Sequence, residues 1–292
     1  MTKLLQLIII GTALGAIYGL LALGFTLVYK ATRVFNFAQG DLMMLGAYIL
    51  VSFSVTDLQL SPWLAIPLTL LMSIPVGILF QFLFVRPLIG QPFLPVVMAT
   101  IGAALIIQAG IQMYWGVIEL PYQTVFPSRV FDVEGVRVSS FDLITIAVAA
   151  ACVALFALFF KLTKIGLQMR AAAENNEAAI LSGINVHRVS LVAWSIGTLL
   201  AFIAGVILAN QQGTVTFSLT GLALLAFPAV VIGGLESIPG AVVGGLIVGI
   251  LQALIAGYYD PLAQDALVFA ALLLMLLVKP TGLFGQKEIV RV

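Results

Sequence analysis

Long, uninterrupted apolar runs constrain this chain more than any other feature of its sequence. Most are roughly 17 to 25 residues long, the length at which an α-helix crosses about 30 Å of hydrocarbon. They fall at residues 5–29, 37–55, 63–85, 94–117, 141–160, 189–210, 219–233, 238–256 and 265–279, with short polar connectors between them. Composition points the same way: 62% of the 292 residues are hydrophobic and 9% charged, where soluble domains average about 45–50% and about 25%. A soluble protein of this make-up would lack the polar surface to face water. Roughly ten-residue alternating segments, the mark of a transmembrane β-barrel, are missing from the sequence. The expected fold is therefore an all-α polytopic membrane protein of about eight to ten transmembrane helices. Segment 37–55, which holds Asp41, and segment 219–233, which is short and carries Pro228, are the weakest complete crossings. No cleavable signal peptide is expected, because Gly11–Tyr29 continues as a full span with no A-x-A-like site.

Positive charge orients the spans, since Lys and Arg accumulate on the cytoplasmic side. With loop 161–188 inside and strict alternation, the inner side holds Lys30, Arg33, Arg86, Lys161, Lys164, Arg170, Arg188, Lys279, Lys287 and Arg291. Only Lys3, Arg129 and Arg137 remain outside. Two connectors exceed a turn. The extracytoplasmic loop 118–140 contains Pro121, Pro127, Asp132, Glu134 and Gly135. The cytoplasmic loop 161–188 is rich in Ala, Glu, Gln, Leu, Met and Arg, which predicts one or two short amphipathic helices. Gly183 and Asn185 supply a helix stop there.

Small residues recur at helical spacing. Gly11, Gly15 and Gly19 share one face of the first span, and Gly240 with Gly244 and Gly245 with Gly249 repeat the pattern near the end. In lipid such faces allow two backbones to approach closely. Segments 36–49 and 216–233 each begin polar, pass a glycine and turn strongly apolar, and they would enter from opposite sides. That pattern raises an expectation of inverted-repeat halves whose half-helices meet near the midplane.

The sequence carries no sign of an engine. No G-x-x-x-x-G-K-[ST] loop and no H-E-x-x-H motif occur, so neither P-loop nucleotide binding nor zincin chemistry is expected on this chain. His187 and Cys152 are the only residues of their types, too few for a metal site or an internal disulfide. The net charge of +1 argues against nucleic acid. Transport or anchoring thus stands ahead of enzymology. Asn36, Gln39, Gly40 and Asp41 form the most informative polar group near the hydrocarbon, and two readings fit it. A carboxylate there is costly unless it pairs, faces water or binds something, which places the group on a gate or solute route. Equally, Asp41 suits a helix start in the headgroup layer. In loop 161–188, Glu174 and Glu177 stand beside Lys161, Lys164 and Arg170, with Ala171, Ala172, Ala178, Ile180 and Leu181 available to bury against a docking partner.

Four stretches resemble the LivH-like permease subunits of branched-chain amino acid ABC transporters (the LivH/LivM permease family). They are FNFAQGDLMMLGAY (35–48), GLQMRAAAENNEAAILSGINVHR (166–188), VVIGGLESIPGAVVGGLIVG (230–249) and KPTGLFG (279–285), in the family's order. Lys279 stands where the family usually has Arg. The resemblance implies a single transmembrane permease domain over 1–292, multi-pass in the cell inner membrane, with a short cytoplasmic coupling helix. It implies a homologous second permease subunit, two cytoplasmic ATPases that bind ATP and Mg, and a periplasmic or extracellular solute-binding protein. Gly166, Arg170, Ala173, Glu174, Ala178 and Gly183 would couple to the ATPases, and Asn36, Gln39 and Asp41 fall in a family signature. Leucine, isoleucine and valine are the expected solutes. Urea, short amides or other amino acids are the alternative, since their permeases look similar. An ion-coupled secondary transporter would be the main contender without the resemblance.

Overall fold

The computed structural model describes residues 2–88, 90–126, 129–133 and 135–285; Pro127, Glu134, Lys287 and Arg291 lie outside the described residues. Helix α1 (Thr2–Thr32) runs 31 residues, about 46 Å at 1.5 Å per residue, and so overshoots the hydrocarbon. Helix α2 (Gln39–Val51) is only 13 residues and passes into a π-helical turn over Ser52–Thr56. Helix α3 (Pro62–Phe80) starts with a proline, whose missing N–H is no loss in a first turn. A second π-helical turn (Gln81–Val85) and a tight 3-10 turn (Arg86–Leu88) extend it. Both π turns begin at a polar side chain that bonds a neighbouring element. Trp115 Nε1 donates to Ser52 Oγ at 2.9 Å, and Gln81 Nε2 to Ser190 Oγ at 3.3 Å.

Helix α4 (Phe93–Trp115) stops at Gly116, with φ of 80°. The strands that follow were not expected from the sequence. Strand β1 (Leu120–Pro121) precedes a hairpin of β2 (Val130–Val133) and β3 (Val136–Ser139). Gly135 turns it at φ of 81° and donates its N–H to Asp132 Oδ1 at 2.9 Å. The signal was present as alternating apolar residues around a glycine. Helix α5 (Ser140–Leu162) leads to two short helices, α6 (Lys164–Glu174) and α7 (Asn176–Leu181). The side chains of Thr163 and Asn175 cap them. Gly183 has φ of 79° after α7, while Asn185 caps the next helix through the Arg188 N–H at 3.0 Å. That helix, α8 (Val186–Gln212), ends at left-handed Gly213 and is followed by β4 (Thr214–Val215). The apolar segment 219–233 is two helices, α9 (Leu219–Leu224) and α10 (Ala226–Gly233). Pro228 falls in the first turn of α10, where it breaks no helical hydrogen bond. Helices α11 (Ile238–Tyr258) and α12 (Gln264–Val278) complete the chain.

Among the described residues, six of the nine expected spans are thus helices long and apolar enough to cross a membrane. The protein is an all-α, multi-pass membrane protein. Segments 37–55, 219–233 and 265–279 are shorter. The 15 residues of α12 cover about 22 Å, short of the full hydrocarbon.

The chain forms two compact units, residues 1–26, 128–153 and 224–292 in one and 27–127 and 154–223 in the other. In the second, α8 packs on α2 and α3. Ala193, Trp194, Ala201, Phe202 and Ala204 of α8 are wholly buried, and the Trp194 ring stacks on Phe80 at 5.2 Å. Strand β1 pairs with β4, and Val125 N–H donates to Asn210 Oδ1 at 3.2 Å, which ties the segment after α4 to the end of α8.

In the first unit the glycine face of α1 meets α11. A β-carbon at Gly11 would lie 2.6 Å from the Ile250 α-carbon, and one at Gly15 2.7 Å from that of Leu246. Gly245 and Gly249 return the contact, facing the backbone of Gly19 and Gly15. Gly240 and Gly244 instead turn to α10, against the carbonyls of Gly233 and Ala229. The end of α10 is then closed by the chain after α12. Leu283 N–H donates to the Ile232 carbonyl at 2.8 Å, and Phe284 N–H to that of Gly233 at 3.0 Å. Carbonyls left open at a helix end are thereby satisfied inside the protein.

Candidate functional site

The Asn36–Asp41 segment leaves α1 and enters α2 as a buried polar turn, with Asn36 1%, Gln39 0% and Asp41 2% exposed. Asn36 does the local work. Its Oδ1 accepts from the Ala38 N–H at 3.1 Å, its Nδ2 donates to Gln39 Oε1 at 2.9 Å, and its carbonyl accepts from the Gln39 N–H at 3.2 Å. Gln39 Nε2 then donates to the Gly197 carbonyl of α8 at 3.0 Å. The turn is also held to α4, where Thr100 Oγ1 donates to the Phe35 carbonyl at 3.3 Å.

Asp41 occupies the first turn of α2, where the macrodipole favours a carboxylate. Its Oδ1 accepts from Gln108 Nε2 of α4 at 2.7 Å, with the Thr220 hydroxyl of α9 at 3.5 Å. Thr220 Oγ1 also lies 3.2 Å from the sulfur of Met44. A β-carbon at Gly40 would sit 2.7 Å from the Ala223 β-carbon, so α9 lies tight on the start of α2. The side chain of Asp41 thus reaches two other helices, and Asn36 and Gln39 are buried within the protein. Gln108, Thr220 and Thr100 were not singled out in the sequence. Each is a polar residue within or beside an apolar run, and that was the available signal.

The loop residues group differently. Gly166 packs against the end of α5, where a β-carbon would lie 2.8 Å from the Phe160 α-carbon. Arg170 donates to the Phe160 carbonyl and places its guanidinium 5.4 Å from that ring's centre. This is a cation at a helix C-terminus, the favourable arrangement. Ala173 is half-buried, and its carbonyl accepts from Arg33 Nη2 at 3.4 Å. Glu174, Glu177, Ala178 and Gly183 are exposed. Of the apolar residues expected to bury, Ala172 does so, Ala171 does so in part, and Ala178, Ile180 and Leu181 face outward. A cavity of about 670 Å³ lies between α6–α7 and the chain after α1. It is lined by Lys30, Arg33, Phe35, Ala173, Glu174 and His187 among others.

A second polar chain, buried at Tyr18 and Gln252 and ending on exposed Asp265, stands in the first unit. Tyr18 O–H of α1 donates to Gln252 Oε1 of α11 at 2.7 Å, and Gln252 Nε2 to Asp265 Oδ1 of α12 at 3.1 Å. Among the described residues, no three His, Cys, Asp or Glu side chains group as metal ligands would.

Comparison with known proteins gives matches along the full chain. The family model for "branched-chain amino acid transport system / permease component" matches residues 7–277. A high-affinity branched-chain amino acid transport permease protein, BraD of Pseudomonas aeruginosa, is 31% identical over 301 residues, covering 99% of this chain and 98% of that relative. The LivH permease protein of Salmonella typhimurium is 32% identical over 302 residues, covering 99% and 97%. A probable LivH permease of Methanocaldococcus jannaschii is 32% identical over 280 residues, covering 91% and 88%.

Proposed function

The chain belongs to the branched-chain amino acid transport permease family, and on that premise we propose that it imports leucine, isoleucine and valine. It does so as one permease subunit of a binding-protein-dependent ABC importer, a single transmembrane domain in the cell inner membrane. The likeness over the whole length of the chain carries this reading. A homologous permease completes the path, a solute-binding protein delivers the amino acid, and two cytoplasmic ATPases hold ATP and Mg. The lack of a P-loop fits a chain whose motor is on other subunits.

Within that assembly, α6–α7 is the cytoplasmic coupling element. Gly166 and Arg170 fix it to the end of α5, and Glu174, Ala178 and Gly183 present a face to the ATPase. Exposed Ile180 and Leu181 suit burial in that joint. Asn36, Gln39 and Asp41 control the translocation path, which opens alternately to the two sides. Because a ligand shifts such an equilibrium only through unequal affinity for its states, the solute binds weakly in the path and the binding protein does most of the selecting.

Local backbone supports an inverted repeat. After α1 and after α8 the chain takes the same steps: one left-handed residue, Arg33 or Gly213, then a short extended piece, then a turn into the next helix. The turn hydrogen bond recurs as well, Gln39 N–H to the Asn36 carbonyl at 3.2 Å and Leu219 N–H to the Thr216 carbonyl at 3.3 Å. On this reading segments 36–49 and 216–233 are paired halves of a repeated unit that enter from opposite faces.

Two measurements test the proposal. Uptake of labelled leucine by the reconstituted complex should require ATP and binding protein. Unlabelled isoleucine and valine should compete with it, and glutamate, urea and acetamide should not. Uptake driven by an ion gradient with this chain alone would overturn the importer reading. Replacing Arg170 and Glu174 together by Ala should leave the permease in the membrane while abolishing solute-stimulated ATP hydrolysis. Normal stimulation would remove the docking role of α6.

A further inference from the structure

We infer that Arg33 is a positioning residue that transmits movement of α6 to the buried Asn36–Asp41 turn. The inference rests on the coupling role proposed for α6. The first observation is conformational. Arg33 closes α1, its N–H donating to the Tyr29 carbonyl at 2.7 Å, and holds a left-handed φ of 56°. A β-carbon disfavours that conformation, which is why glycine dominates such positions. The matching residue after α8 is a glycine: Gly213 has φ of 67° and donates to the Ala209 carbonyl at 3.1 Å. The same turn is thus built once without strain and once with it, and strain kept at one site calls for a function of the side chain.

The side chain supplies one. The Arg33 guanidinium donates to the Ala173 carbonyl, in the last turn of α6, at 3.4 Å, and lies 5.8 Å from the centre of the Tyr29 ring. It makes this contact beside the cavity of about 670 Å³, whose wall includes Lys30–Phe35 as well as Ala172, Ala173 and Glu174. Open space there leaves α6 room to shift, and the guanidinium bridges from α1 to α6 at its side.

Beyond Arg33 there is little slack. Three residues on is Asn36, a span of at most about 10 Å. The intervening chain is braced, with Phe35 ring centres 5.6 Å from both Tyr29 and Phe37 and the Phe35 carbonyl bonded to Thr100. A pull at Ala173 therefore reaches Asn36, and through it Gln39 and Asp41, without being absorbed in a flexible loop.

The test measures leucine uptake and ATP hydrolysis in the same proteoliposomes, with both ATPases, the homologous permease and binding protein present. Arg33→Gly removes the strain together with the link. It should retain ATP hydrolysis and thermal stability while uptake per ATP falls about fivefold or more, the span of ordinary coupling energies. Arg33→Lys, which keeps a donor of similar reach, should restore most of the loss. Arg33→Met keeps the stem and loses every donor, so it carries the glycine expectation should that variant fold poorly. Wild-type uptake per ATP in Arg33→Gly or Arg33→Met would overturn the inference. If Arg170→Ala with Glu174→Ala uncouples the complex while those variants do not, only the Arg33 link falls. Normal coupling in the double variant removes the role of α6 itself.

Discussion

An aspartate in the first turn of a helix ordinarily answers to that helix's own free N–H groups. Asp41 reaches further, with Gln108 at 2.7 Å and Thr220 at 3.5 Å. Hydrogen bonds to a charged group are among the stronger ones, and a buried acceptor stripped of its donor bears the full desolvation cost, about 1–3 kcal/mol or more. Gln108→Leu should therefore destabilise the permease by about that amount and impair uptake, and Asp41→Asn should impair uptake likewise. The two together should cost less than their sum, by about 0.5–3 kcal/mol in a double-mutant cycle of unfolding from micelles. Strict additivity would show that the pair does not interact. Asn36, Gln39 and Asp41 were visible in the sequence because polar residues stand out against oil. Their partners were harder to find. Hydrogen bonds between residues 67 and 179 positions apart in the chain leave no local pattern, and one lone Gln or Thr in an apolar run looks like any other.

At the scale of elements, the glycines of α1 offer an internal control. A β-carbon at Gly15 would meet the Leu246 backbone at 2.7 Å, whereas at Gly19 the nearest atoms, of Val242, lie at an ordinary 3.7 Å. Gly15→Val should therefore separate α1 from α11 and sharply lower the amount of monodisperse permease extracted from membranes. Gly19→Ala should be tolerated. Equal yields from the two would mean that the seam does not hold these helices together. Spacing made this face legible, since period four on a helix defines one side. Nothing in the spacing named α11 as the partner, and nothing showed that its own glycines divide between α1 and α10. The break between α9 and α10 was also hidden. Hydropathy sums over 219–233 without sensing that one helix ends at Leu224, that Leu225 caps the next and that Pro228 sits in its first turn. The hairpin of β2 and β3 was overlooked for a different reason. Four-residue strands are brief beside spans of twenty, and their alternation is lost in a scan tuned to helices.

For the molecule as a whole, sidedness is the property on which the mechanism turns, and α5 makes it testable. This one helix of 23 residues joins the hairpin 130–139 to α6, so its ends emerge on opposite faces of the bilayer. Charge decides which face is which: Lys161 in the last turn of α5 and Lys164, Arg170 and Arg188 beyond it cluster before the next long helix, and such clusters stay in the cytoplasm. The proposed docking of α6–α7 to an ATPase requires that placement, because the motor of that proposal is cytoplasmic. Cys152 is the chain's one cysteine, so Cys152→Ala provides a clean background for labelling. In that background Asp132→Cys places a thiol on the exposed hairpin, and Leu181→Cys places one at a residue 89% exposed at the end of α7. A maleimide unable to cross membranes, added to spheroplasts, should label position 132 and spare position 181, and inside-out vesicles should show the reverse. Labelling of position 181 from outside would turn the molecule over, leaving α6 with no motor to meet and Arg33 with nothing to relay.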